Sequence, residues 1–240
     1  MHTGHRSNTA IIYFSLSPWK EAQQKSFVSG KEFYKNFRIA ALLRSHTCQQ
    51  INETGLPNFV FDENNQEGAN FGEKLVSAFE HVYRQGYEHA IVVGNDTPKL
   101  DSSHISAAAD QLEGRISDIV IGPAMDGGTW LMGFSKDVFD SSLIKELPWN
   151  TDQLLKKIIE HFSENQRVTL LETFADLDNK KDLLDFIEYI HPEDFLRVLK
   201  RKILSILENF QPTFYSSLHF LKSTYLSHNI LLRGPPFLSD

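Results

Sequence analysis

One cysteine, Cys48, in 240 residues excludes an internal disulfide, and no motif pairs it with a particular histidine as a catalytic thiol would require. Cys48 reads as a structural residue of a helix. Basic excess is also missing. The net charge of −7 and the scattered lysines and arginines leave nothing to track a phosphate backbone, so nucleic acid is not an expected partner. No apolar run reaches the ~18 residues of a membrane span. The opening "MHTGHRSNTA" is polar where a signal peptide needs its apolar core, and a cytoplasmic protein is expected. The ten histidines form no H-E-x-x-H pair and join no cysteine cluster with zinc spacing. P-loop, dinucleotide and nucleophile-elbow signatures are absent as well.

What remains is an alternation of short apolar runs and amphipathic stretches. "AIIYFSL" (10–16), "NFVFDE" (58–63), "AIVVGNDTPKL" (90–100) and "DIVIGPA" (118–124) have the continuous hydrophobicity of buried strands. Ser17 and Pro18 suggest a loop after the first. Helical spacing runs from Lys31 to about Glu53 and from Phe71 to Gln85, where Gly86 suits a C-cap. Asp101 or Ser102 caps a third helix reaching about Leu112, a short helix is expected near Phe139, and "PWNT" (148–151) is expected to cap another. "RVTLLETFADLD" (167–178) reads as a late strand. This pattern predicts a three-layer, mostly parallel α/β sheet with helices on both faces. The strands beginning at Ala10, Ala90 and Asp118 are expected to be parallel neighbours. Residues 1–190 form the domain, and 191–240 a helical C-terminal extension whose end, "LLRGPPFLSD", is too rich in proline to be helical.

Four aspartates stand at expected strand ends or turns: Asp96, Asp126, Asp176 and Asp178. Open α/β folds bind ligands at the carboxyl ends of their strands. Hard carboxylate oxygens there suit Mg²⁺ or Mn²⁺, which bind through one or two carboxylates together with substrate phosphates. Plainer readings stay open. "DGG" (126–128) suits a hairpin turn, and "DLDNKKDL" (176–183) suits a helix start with Asp178 as cap and Asp182 facing the macrodipole.

Five segments in order, "QEGANFGEKLVSAFEHVYRQG", "VVGNDTPKL", "DIVIGPAMDGGTWLMGF", "PWNT" and "ADLDNKKDL", resemble the DUF2064 proteins. That bacterial group is described as nucleotide-diphospho-sugar transferase-like, and the resemblance spans roughly Ile11 to Asp185. It implies a GT-A type, Rossmann-like fold and a metal-dependent transferase using a nucleoside diphosphate-sugar or related nucleotide, with a small-molecule acceptor. A nucleotidyltransferase acting on a triphosphate, or a binding module without catalysis, are the alternatives. By this resemblance Gly94, Asn95 and Asp96 form the motif that binds diphosphate and metal. Asp176 and Asp178 complete the metal site. Asp126, Gly127 and Gly128 form the acceptor loop, with Asp126 orienting or deprotonating the acceptor hydroxyl.

The chain departs from the family after its first strand. Members commonly carry a P-G-x-x-K-T-R-L-like loop whose cations meet the nucleotide phosphates, whereas this chain has "SPWKEAQQKSF" (17–27). Lys20 or Lys25 is expected to take over by a shift of register, pointing an ammonium into the cleft above Asp96.

Overall fold

The computed structural model describes residues 7–28, 32–190 and 194–208. Six strands form one sheet in the order β2-β1-β3-β5-β4-β6. They are β1 (Thr9–Phe14), β2 (Asn58–Phe61), β3 (His89–Val93), β4 (Ile119–Pro123), β5 (Thr129–Ser135) and β6 (Val168–Leu170). β1 lies parallel to β2 and β3, and β4 lies parallel to β6. The principal helices are α1 (Pro18–Gln24), α2 (Phe33–Glu53), α3 (Phe71–Arg84), α4 (Ser102–Glu113), α5 (Ser141–Glu146), α6 (Leu154–Phe162), α7 (Lys180–Tyr189) and α8 (Arg197–Glu208).

Alternation along the strands creates the layers. Ala10, Ile12 and Phe14 of β1 face one apolar cluster with Leu75, Phe79 and Val82 of α3 and Ile158 of α6. Ile11 and Tyr13 face the other, with Ile105, Ala108 and Leu112 of α4 and Ile51 of α2. Helices therefore cover both faces, as the sequence pattern predicts. A third cluster joins Ile39 and Leu43 of α2 to Leu183 of α7 and to Leu199, Ile203 and Ile206 of α8. The proline-rich end read as non-helical lies outside the described residues. Among those described, no helix is long and apolar enough to cross a membrane.

Three expectations are corrected. β3 and β4 are not neighbours, because β5 runs antiparallel between them and pairs with both. "DGG" sits in the short β4–β5 connection, which returns the chain at once, whereas a parallel neighbour needs a long crossover. The connection is a hairpin in which Gly127, at φ +89°, is left-handed, whereas Asp126 lacks the positive φ that an Asp-Gly type I′ turn would need. Second, Ser17–Pro18 opens a helix rather than a loop. The Ser17 side chain accepts the Lys20 N–H, proline occupies the first turn where its missing donor is harmless, and the residues that follow favour a helix. Third, "PWNT" ends α5 in a turn, Thr151 Oγ1 donating to Pro148 O at 2.7 Å, and does not cap α6.

Asp101 does cap α4. Its carboxylate accepts the N–H groups of Ser103 at 2.9 Å and His104 at 3.2 Å, and the His104 side chain accepts the Asp101 N–H in return. Asp101→Ala is expected to cost about 1–2 kcal/mol. A thermal melt should show it as a fall of ~2–8 °C, and an unchanged midpoint would remove the cap from the account.

Candidate active site

A cleft of about 780 Å³ opens at the carboxyl ends of β1 and β3, beside the first residues of β5. Chain reversal explains why it lies there. β3 ends at Val93, and Gly94, Asn95 and Asp96 turn across the sheet edge into the cleft wall. Asp176 and Asp178 arrive from the far side of the sheet. β6 pairs as a strand only to Leu170, but the extended segment after it keeps bonding along β4 and its end. Leu171 N–H donates to Ile121 O at 2.8 Å, Phe174 N–H to Pro123 O at 3.1 Å, and Leu177 N–H to Asp96 O at 2.7 Å. That last bond brings the late acidic pair to the turn after β3. The cap of α7 is Asn179, with Asp182 completing the box, so Asp178 is not the capping residue.

Lys25, the C-cap residue of α1, enters the same place. Its ammonium lies against Asp96 Oδ1, 2.7 Å from Asp178 Oδ1 and 3.4 Å from Glu21 Oε1. Its three acidic partners hold the ammonium charged, raising its pKa against the opposing effect of burial. Lys20, by contrast, is exposed on α1 and does not line the cleft. The helix fixes this outcome. Residues 20 and 25 are five apart and cannot share one face of α1, and Lys25 continues the face that carries buried Glu21.

Glu21 is the site residue that sequence reasoning missed. Only 3 % exposed, it accepts Asn95 Nδ2–H at 2.6 Å, and burial followed by the nearby Asp96 charge raises its pKa to about 7. The signal was an acid four residues before Lys25, legible only once α1 is recognised as a helix. Asn95 is thereby engaged beneath the surface of the turn. A Cβ at Gly94 would meet only Phe14 O, at 4.0 Å, so the protein's own packing does not demand glycine there.

Asp176 is half-buried and accepts a hydrogen bond from Thr97 Oγ1. Burial pushes its pKa up to about 7, and the charges of Asp96, Asp126 and Asp178 push the same way against the Thr97 bond. All four predicted aspartates therefore act on one spot. Asp126 is exposed at the cleft, with Oδ1 accepting the Gly128 N–H at 2.8 Å. Gly128 lines the cleft, whereas Gly127 does not; a Cβ at Gly127 would come within 2.3 Å of Asp152 O. Gly127 thus lets the β4–β5 connection seat on the segment before α6.

An aromatic wall completes the cleft. Phe71, 41 % exposed, lies 5.5 Å from Phe14 and 4.9 Å from Trp149 between ring centroids. Trp149 is fixed by Nε1–H donation to Ile144 O at 2.9 Å. The charged lining comprises Glu21, Asp96, Asp126, Asp152, Asp176 and Asp178 against Lys25 and Lys74. Carboxylates thus outnumber ammoniums in the lining. Among the described residues no three acidic, histidine or cysteine side chains are grouped to hold a metal ion.

The sheet is mixed, with one antiparallel strand between β3 and β4, helices on both faces and a carboxylate-lined cleft at its carboxyl edge, which makes a three-layer α/β fold. A structure from Desulfovibrio desulfuricans G20, described as a candidate nucleotide-diphospho-sugar transferase, shares this fold. Its TM-score is 0.73 at 21% identity, over 82% of this chain and 94% of that one. The DUF2064 family model, described as "Uncharacterized protein conserved in bacteria", matches residues 44–151, so the family resemblance read from the motifs holds across that span. Two further structures are more distant. One is the Rv0371c homolog from Mycobacterium sp. strain JC1, with 14% identity, 84% and 98% coverage and a TM-score of 0.45. The other is Rv0371C of Mycobacterium tuberculosis H37Rv in complex with manganese, with 14% identity, 76% and 99% coverage and a TM-score of 0.42. Both are too remote to bear on this site. No curated protein matches the chain.

Proposed function

We propose that the protein is a metal-dependent transferase whose donor is a nucleoside diphosphate-sugar or a related nucleotide, with a small-molecule acceptor. The observation that carries this reading is the convergence of Asp96 and Asp178 on a single cation, the Lys25 ammonium, in a cleft otherwise dominated by carboxylates. Their hard oxygens fit Mg²⁺ or Mn²⁺, which needs only one or two carboxylates when substrate phosphates supply the rest. Once bound, such an ion offsets the diphosphate charge and stabilises the leaving group.

The chain's own residues divide the remaining work. Asp96 and Asp178 hold the cation, and Asp176, fixed by Thr97, stands beside them. Gly94 and Asn95 shape the turn that faces the diphosphate. Asp126, tethered through the Gly128 N–H, orients or deprotonates the acceptor hydroxyl, with Gly127 and Gly128 forming the acceptor loop. The proposed transferase domain is residues 1–190, with 191–240 as an extension of which α8 packs on α2. A cytoplasmic location is part of this reading.

Thermal shift with nucleoside diphosphates, nucleotide sugars and Mn²⁺ tests the reading. A true ligand at 100 times its Kd should add ~2.7 kcal/mol of apparent stability, and only when Mn²⁺ is present. Product analysis of the stabilising ligand should then show released nucleoside diphosphate. Pyrophosphate released from a triphosphate would instead make the protein a nucleotidyltransferase, and stabilisation without turnover would leave a binding module.

A further inference from the structure

Lys25 is placed unusually for a phosphate ligand. Its side chain is 18 % exposed, and its ammonium touches carboxylates from three separate parts of the chain: Glu21 in α1, Asp96 after β3 and Asp178 before α7. An ammonium has three donors and no more. Three carboxylates around it leave little for an incoming phosphate, yet those partners include the two oxygens that a divalent ion would take. A second cation competes with the ammonium for Asp96 and Asp178, because like charges within a few ångströms of each other repel. The four-carbon stem of lysine, unlike the planar fork of arginine, lets the charge swing without rebuilding its support. Glu21, fixed by Asn95, holds its carboxylate 3.4 Å from the ammonium, at the longest of the three separations.

We propose that Lys25 is an exchangeable counterion: it neutralises the Asp96–Asp178 pair in the ligand-free protein and moves onto the donor diphosphate when a divalent cation takes its place. The inference rests on the metal-dependent reading above and adds an order of events. Lys25 keeps the affinity for the bare cation low, and cation and diphosphate enter together because the diphosphate gives the displaced ammonium a new partner. The departure from the family's phosphate loop then has a function, since a lysine at the end of a helix reaches both positions.

Two measurements test it. Mn²⁺ binding is followed by the loss of the free-ion electron paramagnetic resonance signal, for the parent and for Lys25→Met, alone and with UDP, GDP or CDP. Lys25→Met should bind Mn²⁺ alone at least 10-fold more tightly than the parent and the Mn²⁺–nucleoside diphosphate pair at least 10-fold more weakly. A lysine that only clamps phosphate, or only braces the fold, produces no such opposite pair of changes. The second measurement needs no variant. Amine acetylation of the parent, mapped by mass spectrometry with exposed Lys20 as internal reference, should find Lys25 slow to react without ligand and several-fold faster under saturating Mn²⁺. Unchanged or weaker Mn²⁺ affinity in folded Lys25→Met, or unchanged Lys25 acetylation with Mn²⁺ bound, overturns the exchange while leaving a metal-dependent nucleotide site in place. Failure of every nucleoside diphosphate to bind the parent with Mn²⁺ overturns both.

Discussion

Asp96→Asn should lower Mn²⁺-dependent nucleotide binding and turnover by about 100-fold or more, a loss of ~2.7 kcal/mol, without unfolding the protein. The carboxylate of Asp96 is 41 % exposed, so its removal leaves no buried charge stranded. The backbone at this position also has its own task, since Asp96 O accepts the Leu177 N–H at 2.7 Å, and the substitution keeps that bond. Lys25 retains Glu21 and Asp178 as partners. On the proposed function, what is lost is one of two anionic ligands for the cation that offsets the diphosphate, in a cleft already lined by more carboxylates than ammoniums. Calorimetric titration of nucleoside diphosphate with Mn²⁺, beside circular dichroism of the variant, separates function from folding. A folded variant that binds as the parent does takes Asp96 out of the metal site. Chelation of the parent with EDTA should reproduce the variant's binding defect.

The part of this arrangement that the sequence exposes is the part encoded locally. β1, β3 and β4 are short apolar runs, α3 carries an apolar face between Asn70 as cap and Gly86 at φ +92°, and α4 starts at Asp101. Each follows from the period of the chain or the chemistry of its ends. Neighbour relations across the sheet do not. The run "TWLMGF" is equally hydrophobic whether it lies at an edge or between β3 and β4, and only the tightness of the connection at Asp126–Gly128 hints that it doubles back. Asp176 and Asp178 were legible as acids near the end of an extended stretch. Their arrival beside Asp96 depends on carbonyls of β4 and of Asp96 itself, partners many residues distant. Glu21 was hidden for a different reason. With Ser17–Pro18 taken for a loop, the i to i+4 relation between Glu21 and Lys25 had no helix to give it meaning, and Lys20 and Lys25 appeared equivalent.

Asp176→Asn should stabilise the metal-free protein at pH 8 and leave it unchanged near pH 4. Burial, reinforced by the charges of Asp96, Asp126 and Asp178, raises the folded-state pKa of Asp176 to about 7, whereas an unfolded chain returns it to ~3.9. Between those values the native state binds more protons than the unfolded one, so stability falls as pH rises. The stabilisation is complete below pH ~4 and is lost as the pH passes through about 7. The whole interval corresponds to ~4 kcal/mol, of which solvent access at a half-buried carboxyl leaves about half. In a chain of this size that is a rise of ~4–8 °C in the melting midpoint. Asparagine keeps an oxygen for the Thr97 hydroxyl, so the gain is not cancelled by an orphaned donor. Glu21, raised to about 7 by burial and by Asp96, contributes a slope of the same sign, and Asp176→Asn alone should therefore reduce the pH dependence without abolishing it. Adding Glu21→Gln, whose amide oxygen can still accept from Asn95, should flatten the profile further. Melts from pH 4 to 8 in EDTA decide the matter: parallel curves for parent and Asp176→Asn mean that the carboxylate is not strained in the native cleft. The same substitution should weaken Mn²⁺-dependent nucleotide binding, because the charge that destabilises the empty site at pH 8 is charge that a bound cation would offset.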